Sequence, residues 1–397
     1  MYELVNHDCV TRRGGSSGQP ARMPAELPAG SQRYGGVQRD SREKTQGPSA
    51  AVAERPRLGM TKVESSVAGE TPALRPGTQQ ELQNYDARTA DSLKQSPTMD
   101  IHPTIIQGGM GAGVSNWRLA HAVSTSGQLG VVSGIALDQI LIRRLQDGDP
   151  GGHMRRGLDH FPDPTLAGRI WREYYIEGGK PKNEPYRSVP MHSKQDARRL
   201  VELCIVGNFV EVYLAGEGHR NPVGVNYLEK IQIPLLPSIY GAMLAGVRYV
   251  LMGAGIPLKI PGVLDALAEH RCATYPLTVA GAGPGDDTIV RFDPRDFLRA
   301  DLPPLVRPYF LAIVSSNTLA TTMVKKANGR VDGFVIEGDT AGGHNAPPRG
   351  VLRLDSNGEP LYGERDRVDL EQLRELDRPF WLAGGYGSAQ KLRHALA

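Results

Sequence analysis

From position 104 onward the chain alternates two patterns. Short runs apolar at nearly every position occur at 104–107, 129–133, 223–226, 249–252, 310–314, 333–336 and 380–383. Runs this short and apolar on both faces fit strands buried on both sides, as in a parallel sheet covered by helices. Between them, apolar residues recur at helical spacing. One helix is predicted to start at Asn116 as N-cap, with Leu119, Ala120 and Val123 as its buried stripe. Further helices are predicted over 136–145, 194–214, 261–269, 318–326, 370–376 and 389–396. Strand-then-helix units in series imply parallel strands with right-handed crossovers. An open doubly wound sheet and a closed eightfold barrel both satisfy that series. The favoured expectation is an α/β fold of the (β/α)8 TIM-barrel type, cut short before its eighth strand, because Ala397 falls inside the seventh helix. In such barrels, function sits in the loops at the carboxyl ends of the strands.

Two segments interrupt the alternation. Residues 148–192 form an insertion rich in Tyr, Arg and Pro. Residues 272–307 contain the alternating positions Ala273, Tyr275, Leu277 and Val279, one arm of an added hairpin with 281–287 as its turn. Ahead of the alternating region, residues 1–98 show no lasting period. They contain 15 residues of the Ile, Leu, Val, Phe, Met and Trp class, none of them Ile. They hold three of the 24 aromatics: Tyr2, Tyr34 and Tyr85. So little apolar surface does not offset the entropy of ordering. The expected organisation is a disordered tail over 1–98 and one domain over 99–397. Met99 is expected near the natural start, with the tail an extended reading frame or a dispensable arm.

Charge narrows the function classes. The chain carries 46 basic and 43 acidic residues, of which the tail holds 13 and 11, leaving 33 against 32 in the expected domain. So balanced a domain has no electrostatic case for nucleic acid or an anionic membrane. No apolar run reaches the length of a membrane span, and residues 1–15 have no apolar core of a secretory signal. Cys9, Cys204 and Cys272 lie too far apart in sequence for metal-ligand spacing or a disulfide framework. These features point to a cytoplasmic protein with no metal and a small-molecule substrate. Oligomeric state is open.

The chemistry concentrates in three glycine-rich loops at strand ends. The first reads Gln107-Gly108-Gly109-Met110-Gly111-Ala112-Gly113. As a dinucleotide fingerprint it fails, since Val114 stands where a third Gly or Ala is required and the acid expected about 20 residues on is missing. Alone it is a tight turn. The second runs from Ile336 through Ala341-Gly342-Gly343-His344 to Gly350. A histidine directly after two glycines can reach into a site that the backbone lines, and histidine exchanges protons near neutral pH. The third, Ala383-Gly384-Gly385-Tyr386-Gly387-Ser388, opens a helix, whose N-terminus can bind phosphate. Three such loops in one series point to a phosphate-bearing cofactor.

The segments Ile105-Ile106-Gln107-Gly108-Gly109-Met110-Gly111, Gly224-Val225-Asn226, Ala341-Gly342-Gly343-His344 and Leu382-Ala383-Gly384-Gly385 resemble the nitronate monooxygenase family, formerly 2-nitropropane dioxygenase. That family includes flavin-dependent enoyl reductases of fatty-acid and polyketide synthesis. The resemblance runs from about Thr104 to the end of the chain, and Gly-Gly-His is its most specific element. It implies an FMN-binding barrel without metal. Gly109, Met110 and Gly111 would lie along the flavin ring, and Asn226 would hydrogen-bond it. Gly343, Gly384 and Gly385 would approach the ribityl chain and phosphate. His344 would be the catalytic residue, a base or an orienter of an anionic substrate. The family's eighth strand has no counterpart before Ala397. Met252-Gly253-Ala254-Gly255-Ile256-Pro257 resembles the branch near polyketide-associated enoyl reductases.

The main functional expectation is therefore FMN-dependent oxidation of alkyl nitronates with O2. One alternative is reduction of an enoyl thioester by reduced nicotinamide. A third, of another class, is a non-catalytic or cofactor-free truncated barrel. Of the remaining residues, His121 and His270 read as surface or packing histidines, and His153 and His160 lie in the first insertion. Glu337 and Asp339 flank the histidine loop, able to orient His344 or only to fix loop geometry.

Overall fold

The computed structural model describes residues 102–195, 197–298, 302–341 and 346–396. The expected tail over 1–98, together with Gly343 and His344, lies outside the described residues. Helix α1 (Trp117–Thr125) begins as expected: Asn116 Oδ1 accepts from the backbone N–H of Arg118 at 2.9 Å and of Leu119 at 3.4 Å. Its buried face differs from the expected stripe. Trp117, Ala120 and Ser124 face the core, whereas Leu119 stands 42% exposed. The large Trp117 ring packs into the core and turns that side of the helix inward, and Glu211 accepts from Trp117 N at 2.8 Å.

Strand β1 (Gly130–Ser133) and helix α2 (Leu137–Gln146) follow. The first insertion has helices of its own, α3 (His153–Asp159) and α4 (Pro164–Tyr174). Asp163 caps α4 and Pro164 occupies its first turn, where a missing N–H costs nothing. Helix α5 (Arg198–Gly216) starts later than expected and is buried nearly all round. Its two buried acids are neutralised, Glu202 by Arg169 and Arg198, Glu211 by Arg144. Strand β2 (Val223–Leu228) leads into α6 (Leu235–Leu244), a helix that the sequence pattern does not show. Every residue from Leu235 to Met243 is buried, so there is no polar face to create a helical period. Strand β3 (Tyr249–Gly253) and helix α7 (Ile260–Ala268) come next.

The expected hairpin is present as β4 (Ala273–Pro276) paired antiparallel with β5 (Ile289–Phe292). The chain closes with β6 (Tyr309–Val314), α8 (Asn317–Lys326), β7 (Gly333–Glu337), α9 (Leu370–Arg374), β8 (Phe380–Ala383) and α10 (Ala389–Leu396).

The main sheet has six parallel strands in the order β1-β2-β3-β6-β7-β8. The first apolar run, 104–107, is not a strand: it contributes one parallel bridge, Ile106 to Leu129. The eightfold barrel is thus present only in coarser form, as an α/β fold with a curled parallel sheet. The curl shows in the contacts of the inner face. Val131, Leu251, Leu311 and Val335 form a small core there with Trp381 and Ala383 of β8 packed on it. Trp381 Nε1 reaches across to donate to Pro103 O at 2.7 Å. The outer face meets the helices in the larger core, built from residues such as Val132, Val225, Val250, Phe310 and Phe334. At the amino ends of the strands, the rings of His102, Tyr249, Tyr309 and Trp381 fill the inner face, with His102 edge-on to Tyr309 at 5.6 Å and to Trp381 at 5.7 Å.

Candidate functional site

Side chains alternate across a strand, so the inner face can be followed upward two residues at a time. Above Val131 comes Ser133, above Leu251 comes Gly253, above Leu311 comes Ile313, and above Val335 comes Glu337. Asn226 stands above Gly224, paired in register with Ser133. Ser133, Asn226, Gly253, Ile313, Glu337 and Ala383 therefore ring the inner face at the carboxyl ends.

The first glycine loop is held over β1 and β2 by its own chain. Ser115 is buried; its Oγ donates to Gly108 O at 2.9 Å and accepts from Met110 N at 3.0 Å. Asn226 Nδ2 donates to Gly109 O at 2.9 Å. A Cβ on Gly109 would stand 2.5 Å from Val131 Cγ1 and 3.0 Å from Val132 O. Glycine is required here by packing of the loop on the strand, not only by approach to a ligand. Met110 is 41% exposed at the loop's tip, and Gly111 has φ +74°.

Two polar atoms at these strand ends have nothing to bind. Ser133 Oγ and Asn226 Oδ1 are buried without a hydrogen-bond partner. The amide cannot be turned to relieve this, since its oxygen would then face Gly109 O. Buried oxygens left unpaired cost free energy, about 1–3 kcal/mol each. Neighbouring orphans on adjacent strands could accept hydrogen bonds from a group bearing N–H or O–H, such as water or a ligand. Ser133 was not singled out in the sequence, where it is one serine closing a strand.

At the other side of the mouth, the loops after β7 and β8 touch. Gly338 N donates to Ala383 O at 3.0 Å, and Ala341 N to Gly338 O at 3.1 Å. Gly384 has φ +112°, and a Cβ there would meet Ala341 N and Thr340 Oγ1, each at 3.0 Å. A Cβ on Gly385 would stand 3.4 Å from Lys391 Nζ. Gly384, Gly385 and an ammonium group thus share one corner, beside the loop that continues to Gly343 and His344.

Glu337 stands between these regions. It is half-buried, and its carboxyl makes no hydrogen bond or ion pair among the described residues. Burial pushes that carboxyl up to about 7, so it exchanges a proton near neutral pH. It lines a cavity of about 30 Å³ with Ser315, Asp339, Arg349, Tyr362 and Asp366. Asp366 is held below the usual carboxylate range by the backbone N–H groups of Gly363 and Arg349, with the Arg349 charge adding to them. A larger cavity of about 310 Å³ lies between α4, α5 and the segment near Val189 and Met191, and holds none of the candidate residues.

The inserted segments pack against the chain that follows β1 and β2 and against each other's flanks. His192 Nε2 lies 3.0 Å from Asp138 Oδ2, Lys194 pairs with Asp287, and Tyr275 Oη donates to Glu229 Oε1 at 2.7 Å. Among the described residues no group of three or more His, Cys, Asp or Glu could hold a metal ion, and no helix is long and apolar enough to cross a membrane. Of the expected site residues, the structure brings Gly109 and Asn226 together, places Met110 and Gly111 in the same loop, and sets Gly384 and Gly385 against the start of the histidine loop.

No family model matches the chain, and no curated protein matches it in sequence. Among solved structures it is similar to a methionine-to-alanine mutant of FabK from Thermotoga maritima, at 16% identity and a TM-score of 0.30, over 75% of this chain and 64% of that one. The chain therefore spans less than two thirds of the length of that relative. A similarity this loose carries no inference about activity.

Proposed function

We propose that the chain is a flavin-dependent oxidoreductase that holds FMN at the carboxyl ends of its parallel strands and reduces an enoyl thioester at the expense of a reduced nicotinamide. The observation that carries the cofactor reading is the pair of buried, unpaired oxygens, Ser133 Oγ and Asn226 Oδ1, on neighbouring strands. A flavin ring offers N–H groups to such a pair and a phosphate to the corner formed by Gly384, Gly385 and Lys391. Met110 and Gly111 would flank the ring. When bound, FMN supplies the two-electron chemistry, and the chain positions the substrate and moves protons. His344 and Gly343, in the loop that Gly384 abuts, belong to the same proposal, His344 as a catalytic residue and Gly343 beside the ribityl chain.

The substrate reading rests on charge. The acids Asp339 and Asp366 line the cavity at the mouth against one base, Arg349, so an anionic nitronate meets net like charge there and a neutral thioester does not. Nitronate oxidation remains the second reading, favoured by Arg349, whose guanidinium lines the same cavity. A cytoplasmic location is part of the proposal. The test is direct. The full chain is incubated with FMN, freed of excess, and its visible spectrum recorded. It is then assayed with NAD(P)H and a crotonyl thioester, and separately with a propyl nitronate and O2. Retained flavin absorbance with thioester-dependent NAD(P)H oxidation is the expected result. Consumption of O2 with nitronate alone selects the second reading. No retained flavin selects the non-catalytic one. His344→Ala in the retained holoprotein is expected to lower turnover by ~10²-fold or more.

A further inference from the structure

Glu337 is the inward-facing residue at the last position of β7, in register with Ala383 of β8. The buried carboxylates among the described residues are partnered: Asp332 binds Arg307, Asp293 binds Arg295, Asp138 meets His192. Glu337 has no such bond among the described residues, although it faces the end of the sheet where the candidate residues converge. An unpaired acid retained inside a mouth, beside a water-sized cavity, has a place from which to give up a proton and a route to regain it.

We propose that Glu337 is the proton donor of this site, delivering to the substrate carbon the proton that completes saturation of the enoyl double bond. The inference rests on the enoyl-thioester reading above. Saturation requires one hydride equivalent, from the reduced nicotinamide, and one proton. The hydride equivalent enters at the β-carbon. The electron pair of the C=C bond then forms a C–H bond at the α-carbon with the proton of Glu337, whose O–H bond breaks. The carboxylate left behind is reprotonated from water through the cavity shared with Ser315 and Tyr362. The groups facing it are Asp339 on its own loop, Arg349, Tyr362 and Asp366 across the cavity, and Ala383 on β8, which carries no charge. Asp366 is drawn toward Arg349 and the backbone N–H groups around it, which leaves Glu337 as the proton-bearing acid of the group.

The experiment uses FMN-loaded full chain in three forms: wild type, Glu337→Gln and Glu337→Asp. Isotope-edited infrared spectra of glutamate-labelled wild type should show a protonated carboxyl band that disappears as pH rises through about 7, and Glu337→Gln should lack it. Crotonyl-thioester reduction by wild type should fall above that pH, since the donor must carry its proton. Glu337→Gln should lose this limb and ~10²-fold in rate while retaining FMN, and Glu337→Asp should restore a pH limb in part. A Glu337→Gln variant with wild-type rate and pH profile overturns the donor role alone. Absence of the titrating band overturns it as well. A wild type that reduces no enoyl thioester at any pH overturns the substrate reading and the donor role with it, and the infrared band then still reports whether Glu337 holds a proton near neutrality.

Discussion

The two ends of the same inner face are built to opposite rules. At the amino ends of the strands, aromatic rings fill the space and their polar atoms find partners. Trp381 Nε1 donates to Pro103 O, and His102 Nδ1 lies 3.3 Å from Tyr249 Oη. At the carboxyl ends, the inward positions other than Ile313 are small or polar, and Ser133 Oγ, Asn226 Oδ1 and the Glu337 carboxyl go unpaired. The same strands supply both layers, so the difference is not one of fold. One end contributes stability through ring packing and satisfied bonds. The other gives up stability by leaving polar atoms without partners, and the proposed ligand would supply the missing partner.

The strongest way to test this contrast is to remove a ring from the closed end. Trp381→Ala takes away a large side chain and the hydrogen bond to Pro103. Because Trp381 is only partly buried, a loss of about 3 kcal/mol is expected, at the low end for a large aromatic. FMN affinity should change by less than about twofold, since the ring lies at the other end of the strand. Urea denaturation and flavin fluorescence titration read the two quantities. A variant that keeps its stability and loses flavin would invert the assignment of the two ends.

Gly109→Ala acts on the open end and should affect both quantities. The added Cβ would meet Val131 Cγ1 at 2.5 Å and the backbone oxygen of Val132 at 3.0 Å. Backbone cannot yield as a side-chain tip can, so a stability cost of about 1–3 kcal/mol is expected, the range for overpacking. The displaced loop carries Met110 and Gly111, and FMN retention should fall with it. A variant that folds normally and holds FMN as wild type does would show that this loop is tight for packing reasons alone.

How far the sequence foretells this contrast depends on what each feature consists of. The strands of the main sheet are legible because burial on both faces leaves an unbroken apolar run. Helix α6 is not, because burial on all sides removes the periodicity that marks a helix. In α1 the apolar pattern locates Ala120 but not Trp117 and Ser124, and Leu119 is exposed, because Trp117 at the helix start packs into the core formed by distant elements. Asn226 is legible as a polar residue ending an apolar strand. Ser133 and Glu337 carry the same kind of position but no distinguishing neighbours in sequence. What marks them is the lack of a partner, and a lack becomes visible only when the other strands are in place. Glycines mislead in the other direction: Gly109 suggests a ligand, yet the contacts that require it are with the chain itself.

Ser133→Ala sharpens the comparison by separating folding from binding. Removing an unpaired buried hydroxyl takes away a group that costs stability, so the FMN-free protein should be unchanged or more stable, by up to about 1 kcal/mol. The same change removes a hydrogen bond to bound ligand, and FMN should bind about fivefold more weakly, the equivalent of ~1 kcal/mol. Opposite signs in the two measurements are the expected outcome. Loss of stability with unchanged FMN binding would mean that Ser133 serves the fold, as residues of the closed end do.

The smallest effect is a pH dependence of stability specific to Glu337. In the folded chain its carboxyl keeps its proton up to about 7, against an ordinary value of 4.5 when unfolded. Between these values the folded state binds more protons than the unfolded state, so stability falls as pH rises through that window and levels off above it. The full shift corresponds to about 3 kcal/mol, but the group is only half-buried and solvent screens it, so about 1 kcal/mol is the expected size. Glu337→Gln has no charge to desolvate and should remove this loss: relative to wild type it gains ~1 kcal/mol at pH 8 and nothing at pH 4. Carboxylates held low by hydrogen bonds, such as Asp293 and Asp366, act in the opposite direction at lower pH and cancel in the difference between the two proteins. Urea denaturation of the FMN-free chain at both pH values measures it. A constant difference between variant and wild type across that range would mean that the carboxyl ionises as an ordinary exposed acid, and that the open end does not hold a charge-averse group in the way its counterpart holds rings.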